Sequence, residues 1–93
     1  MKILSKIKIG GHLFDVEYQS EDEVGYEHSG SKFGWRNKIR LQKDMAQSKR
    51  ESVLFHEILE ELNYQHEYKL DHQVLSSIAE GFYQVLKDNG WLK

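Results

Sequence analysis

Three side chains that could do chemistry together stand close in this chain: His56, Glu57 and Glu60, inside the run His56-Glu57-Ile58-Leu59-Glu60. In the H-E-x-x-H arrangement two ring nitrogens hold a metal ion, and the intervening Glu takes the proton of the water that the ion activates. Here Glu60 stands where the second His would be. On a helix with His56 at 0°, Glu60 falls at about 40° and Glu57 at about 100°, so all three share one arc. Leu54, Phe55, Ile58, Leu59 and Leu62 fall between about 160° and 300°, which predicts a core face opposite the chemistry. An ordinary amphipathic helix would sort its residues in the same way, so the arc alone does not separate a metal helix from a solvated one.

A second helix should carry the partner groups. Asp71-His72-Gln73-Val74 opens a stretch in which Val74, Leu75, Ile78, Ala79, Phe82, Val85 and Leu86 span one face, and Gln73, Ser76, Ser77, Glu80 and Gln84 the other. Asp71 is the expected N-cap, with Leu70 before it as a staple, and Asn89-Gly90 the stop. Glu80 lies twenty residues after Glu60, the offset at which thermolysin-like gluzincins place their third metal ligand. Gln84, one turn further on, is a candidate to orient the ring of His56 by a hydrogen bond. Read alone, each is also an ordinary exposed position.

These segments resemble the small, phage- and prophage-encoded zincin-like proteins called minimal gluzincins. The resemblance runs from the strand at Trp35–Leu41, over Ser52–Glu60, to Ile78–Asn89. It implies a three-stranded sheet packed on two helices, His56 and Glu80 as metal ligands, Glu57 as general base, and position 60 as the middle ligand. The family has His where this chain has Glu60. It also implies that the strand before the metal helix, at Trp35, Arg36, Asn37 and Lys38, is a ledge on which an extended peptide substrate pairs.

The exchange at position 60 has a consequence in charge. Two carboxylates and one imidazole cancel the charge of a divalent ion, whereas one carboxylate and two imidazoles leave +1. The ion becomes a poorer Lewis acid, and the activated water keeps its proton more tightly. Zinc is the implied cofactor, and oxygen-rich ligation also admits manganese, magnesium or calcium.

The remaining elements follow from pattern. Ile3 to Tyr18 reads as a hairpin about Gly10-Gly11, setting Ile9 against His12, Ile7 against Phe14 and Lys6 against Asp15, with Ile3, Ile7, Ile9, Phe14, Val16 and Tyr18 on one face. Ser20 to Ser31 is expected as a loop with a short extended piece near Val24 to Glu27. Phe33 to Gln42 alternates as one strand, with Phe33, Trp35, Ile39 and Leu41 on one side and Arg36, Lys38 and Arg40 on the other. Ser48-Lys49-Arg50-Glu51 has capping-box spacing and should start the metal helix, which should fade near Asn63. The expected fold is α+β: a small antiparallel three-stranded sheet against two helices, in one domain over residues 1–93.

Composition is compatible with that size, since 93 residues at 39% hydrophobic content bury one modest core. The absence of cysteine removes disulfides and thiolate metal sites. Neither a signal-peptide h-region nor a membrane-length apolar run is present, so a cytoplasmic protein is expected, in a bacterial host if the phage resemblance holds. The formal charge of −2 supplies no drive toward nucleic acid. Lys32, Arg36, Lys38 and Arg40 could form a stripe for phosphates, although such a face is more often the solvated side of a sheet. His66 and His72 flank a short connector and could approach His56, but their spacing matches no signature and surface roles are expected. Two functions follow: metal-dependent hydrolysis of a peptide bond in a peptide or protein partner, or an inactive zincin-fold phage protein acting as a structural or protein-interaction module.

Overall fold

The computed structural model describes residues 1–20, 30–33 and 37–92. The elements in order are β1 (Lys6–Ile9), β2 (His12–Gln19), β3 (Gly30–Phe33), β4 (Lys38–Gln42), α1 (Gln47–His66) and α2 (His72–Asp88). The α+β class is as expected. The expected loop piece around Val24 to Glu27, and Trp35 and Arg36 of the expected strand, lie outside the described residues.

The first hairpin has the register that its turn demands: Ile9 faces His12, Ile7 faces Phe14 and Lys6 faces Asp15. Gly10 and Gly11 have φ of 60° and 86°, which a tight two-residue turn requires and a side chain resists. A Cβ at Gly10 would also run into the Gln65 carboxamide, whose Nε2 donates to the Ile9 carbonyl at 3.1 Å. The turn is thereby fastened to the end of α1.

The sheet has four strands in the order β1-β2-β4-β3, and it is mixed, not antiparallel. The stretch expected as one strand from Phe33 to Gln42 is an antiparallel hairpin, with Phe33 opposite Lys38. Asn37 turns it with φ of 53°, a left-handed conformation that Asn tolerates better than most residues. β4 then runs parallel to β2. Its alternation does what was expected of it, since Ile39 and Leu41 are fully buried. They join Ile9, Phe14, Val16 and Leu54 in the core, with Ile3, Ile7, Ile58 and Leu62 around them. Tyr18 lies at the margin, exposed, its ring 5.6 Å from the Arg50 guanidinium.

On the other sheet face the basic stripe is partly neutralised. Glu17 receives Arg40 at 3.2 Å and Lys38 at 3.5 Å.

Among the described residues α1 lies on the sheet, touching β1, β3 and β4, while α2 packs mainly on α1. α1 begins at Gln47 after Ala46, with no side-chain cap, so the capping box expected at Ser48 does not form. Glu51 is instead drawn fully inside, where it accepts from Tyr83 Oη at 2.6 Å and Gln47 Nε2 at 3.0 Å. It also pairs with the Met1 ammonium at 3.2 Å and Lys87 at 3.5 Å. This anchor changes the facing of both helices. On α1 the buried residues are Glu51, Leu54, Glu57 and Glu61, so Glu57 is not on the solvent arc. On α2 they are Leu75, Ala79 and Tyr83, which turns the helix about 70° from its apolar face. Tyr83 is held inward by Glu51 and by the Phe55 ring at 5.6 Å.

The ends of α2 are as expected, whereas α1 continues past the expected fade near Asn63. Asp71 Oδ1 accepts from Val74 N at 3.0 Å, and Gly90 closes α2 with φ of 73°. α1 runs on to His66, with Glu67 left-handed behind it. Asp71→Ala should lose about 1 kcal/mol of stability, read as a lower urea midpoint with unchanged slope.

Candidate metal centre

The two helices form an antiparallel hairpin, and its short connector sets the first turn of α2 beside the middle of α1. His56, Glu60 and His72 meet there. One ligand atom from each lies within 4.8 Å of the other two. His56 Nε2 is 4.0 Å from Glu60 Oε2, and the rings of His56 and His72 stand edge to face with centroids 5.0 Å apart. Ser76 bridges them, its Oγ 3.3 Å from His56 Nδ1 and 3.4 Å from His72 Nε2. His56 and Glu60 are half-buried and His72 is exposed.

Desolvation by burial holds the His56 imidazole below its ordinary pKa; Glu60 pulls the other way, and His72 adds to the lowering. The ring is therefore neutral near pH 7, the form that ligates metal.

Comparison with family profiles, with curated proteins and with solved structures finds no match for this chain.

The residues singled out in the sequence separate into groups. His56 and Glu60 come together as their one-turn spacing requires. Glu80 is exposed on α2, one turn beyond Ser76, and is not in the cluster; His72 stands there instead. Gln84 is also exposed, and the group beside His56 Nδ1 is Ser76. Glu57 is 5% exposed, beside Leu54 and Glu61 on the buried side of α1. Of the expected substrate ledge, Trp35 and Arg36 lie outside the described residues. Asn37 is the turn residue whose carbonyl accepts from Asp15 N at 2.9 Å. Lys38 is paired on both sides, with Asp15 and Phe33, and so are the β4 residues that follow it as far as Leu41, so a peptide finds no open edge at Lys38.

Spacing leaves His72, which could approach His56, with a surface role and gives Ser76 no role beside the ring, because register between helices is not written in the spacing within either helix. One signal was available: the connector between α1 and α2 is five residues long, and helices joined so closely must pair antiparallel.

A divalent ion fits this donor set. Tetrahedral zinc with ligands at about 2.0–2.1 Å holds them roughly 3.4 Å apart. His56 Nε2 and Glu60 Oε2 stand 4.0 Å apart and no separation in the cluster exceeds 4.8 Å, so the ligands must close by at most roughly 1.4 Å, through χ adjustments in the exposed His72 and half-buried Glu60.

Proposed function

We propose that this protein is a zincin-like, metal-dependent hydrolase of peptide bonds, of the minimal gluzincin type, with His56, Glu60 and His72 as ligands and Glu57 as general base. The observation that carries this reading is the composition of the cluster. Two imidazoles and one carboxylate are the donors of a catalytic zinc site of the His₂Glu kind. His72 in place of Glu80 offsets Glu60 in place of His, so the net charge with a divalent ion returns to +1. The Lewis acidity that two carboxylates would have removed is thereby kept.

When bound, zinc supplies the Lewis acid that polarises the scissile carbonyl and activates water. The chain's own groups do the rest. Ser76, against Nδ1, fixes the orientation of the His56 ring and directs Nε2 toward Glu60. Glu57 follows His56 in sequence and lies about 100° round α1, so its carboxylate borders the ligand arc from the buried side. There it takes the proton of the attacking water on an oxygen and passes it to the leaving amine. In this reading the protein acts on a peptide or protein in the cytoplasm of a bacterial host.

One observation favours an inactive structural or interaction module instead. Glu57 is 5% exposed, and a base must meet water.

The test is elemental analysis of the purified protein, zinc titration against a chromophoric chelator, and hydrolysis of fluorescent casein with and without EDTA. One zinc per chain and EDTA-sensitive cleavage are expected. A protein that takes up no zinc at micromolar free ion ends the proposal, and a protein that binds zinc but leaves casein intact moves the assignment to the inactive module.

A further inference from the structure

His72 reaches the candidate metal centre from the exposed first turn of α2. Its hydrogen bond runs to Ser76 on its own helix, so that bond does not hold it against α1. Leu75 is buried on the same helix, but apolar contact is non-directional and leaves α2 free to slide along its axis. The height of His72 against His56 must therefore be fixed by the chain just before it.

The connector there is held in an unfavourable shape. Glu67 and Lys69 both have left-handed backbones, with φ of 53° and 59°, a conformation that side chains with a Cβ resist and that persists only where other contacts impose it. One residue of α1 supplies those contacts. The Asn63 carbonyl accepts from Glu67 N and from Tyr68 N at 3.2 Å. Its carboxamide closes on Leu70 from both sides, Oδ1 accepting from Leu70 N at 3.1 Å and Nδ2 donating to the Leu70 carbonyl at 3.5 Å. Asn63 stands two turns beyond His56 and about 20° from it round α1, on the stripe that carries His56 and Glu60.

We propose that Asn63 is a positioning residue of the metal centre: by clamping Leu70 it sets the register of α2 on α1 and so places His72 beside His56. The assignment rests on the ligand set His56, Glu60 and His72. Leu70 is two residues from His72, and Asp71 between them caps α2, so the clamp reaches the ligand through a short, ordered stretch. Two directional hydrogen bonds to one residue fix a position along the helix axis that packing leaves free. Both need the amide, since an aspartate accepts from Leu70 N but cannot donate to the Leu70 carbonyl.

Two measurements on the full chain test this, with circular dichroism confirming the fold of each variant. In zinc titration against a chromophoric chelator, Asn63→Ala should raise the dissociation constant about tenfold, as expected if His72 is then in place in about a tenth of the molecules. In a His72→Ala background the same substitution should cost no more than about threefold, because the ligand to be placed is gone. An equal loss in both backgrounds, or no loss in either, overturns the proposal. In the metal-free protein, nuclear Overhauser contacts between the His56 and His72 rings, whose centroids stand 5.0 Å apart, should be present in the wild type and weakened in Asn63→Ala. Contacts that survive the substitution unchanged overturn it as well. Asn63→Asp, which keeps one of the two bonds to Leu70, should give an intermediate effect in both measurements and replaces Asn63→Ala if that variant fails to fold. A wild type that takes up no zinc ends the ligand reading, and the ring contacts then decide by themselves whether Asn63 sets the register.

Discussion

Zinc affinity should fall on the order of 100-fold or more in His56→Ala and in His72→Ala, and stay within about twofold of wild type in Glu80→Gln. The lower bound comes from the 10–100-fold cost of losing a group that merely orients a ligand, which removal of a ligand must exceed. Ser76→Ala belongs in that orienting class, since its Oγ lies 3.3 Å from His56 Nδ1 and 3.4 Å from His72 Nε2; about tenfold is expected. Competition with a chromophoric chelator ranks the four. The informative comparison is His72→Ala with Glu80→Gln, because the two ligand sets differ only there. Loss in Glu80→Gln with none in His72→Ala would return the third ligand to the position that chain spacing suggests, and would require α2 to slide by about two turns against α1. Glu57→Gln should keep zinc and lose hydrolysis by about 10²–10⁴-fold, since an amide cannot take a proton from water. Equal cleavage by both proteins would remove Glu57 from the chemistry.

Acid should unfold this protein through Glu51. Its burial alone would push the carboxyl up, but hydrogen bonds from Tyr83, Gln47 and the Met1 ammonium, with the Lys87 charge, bring it down to about 2 from an ordinary 4.5. A carboxyl held low in the fold stabilises it above the unfolded value, and that stabilisation is lost as pH falls from about 4.5 through 2. The difference amounts to about 3 kcal/mol. Urea midpoints measured between pH 6 and pH 2 should fall steeply in this window, and Glu51→Gln should flatten that fall while lowering stability at neutral pH. Tyr83 provides the alkaline counterpart. Desolvation first, then its hydrogen bond to Glu51 and the charge of Glu51, raise its hydroxyl to about 12. Stability from that group is complete below pH 10 and is lost as pH rises from 10 through 12. A Glu51→Gln profile as steep as wild type below pH 4.5 would place the acid sensitivity elsewhere.

The same buried carboxylate separates what sequence determined here from what tertiary structure decided. Period-two alternation buried Ile9, Phe14, Val16, Ile39 and Leu41, and the paired glycines set the first hairpin's register, because those signals act between residues close along the chain. The caps of α2 at Asp71 and Gly90 were equally local. The meeting of His56 with Glu60 was legible too, one helical turn being enough to bring them together. The mixed sheet was not legible: the apparently continuous strand folds back into a hairpin that enters β4 through the left-handed Asn37, and the pairing of β4 with β2 joins segments far apart in sequence. Nor was the rotation of the helices. Apolar periodicity assigned the inward face of α2 to Phe82, yet one short hydrogen bond from Tyr83 to the fully buried Glu51 outweighs it and leaves Phe82 outside. That rotation, with the antiparallel register of the hairpin, presents Ser76 and His72 to His56 and leaves Glu80 in water. Chain spacing determined which donors were available; contacts between helices decided which of them share a site.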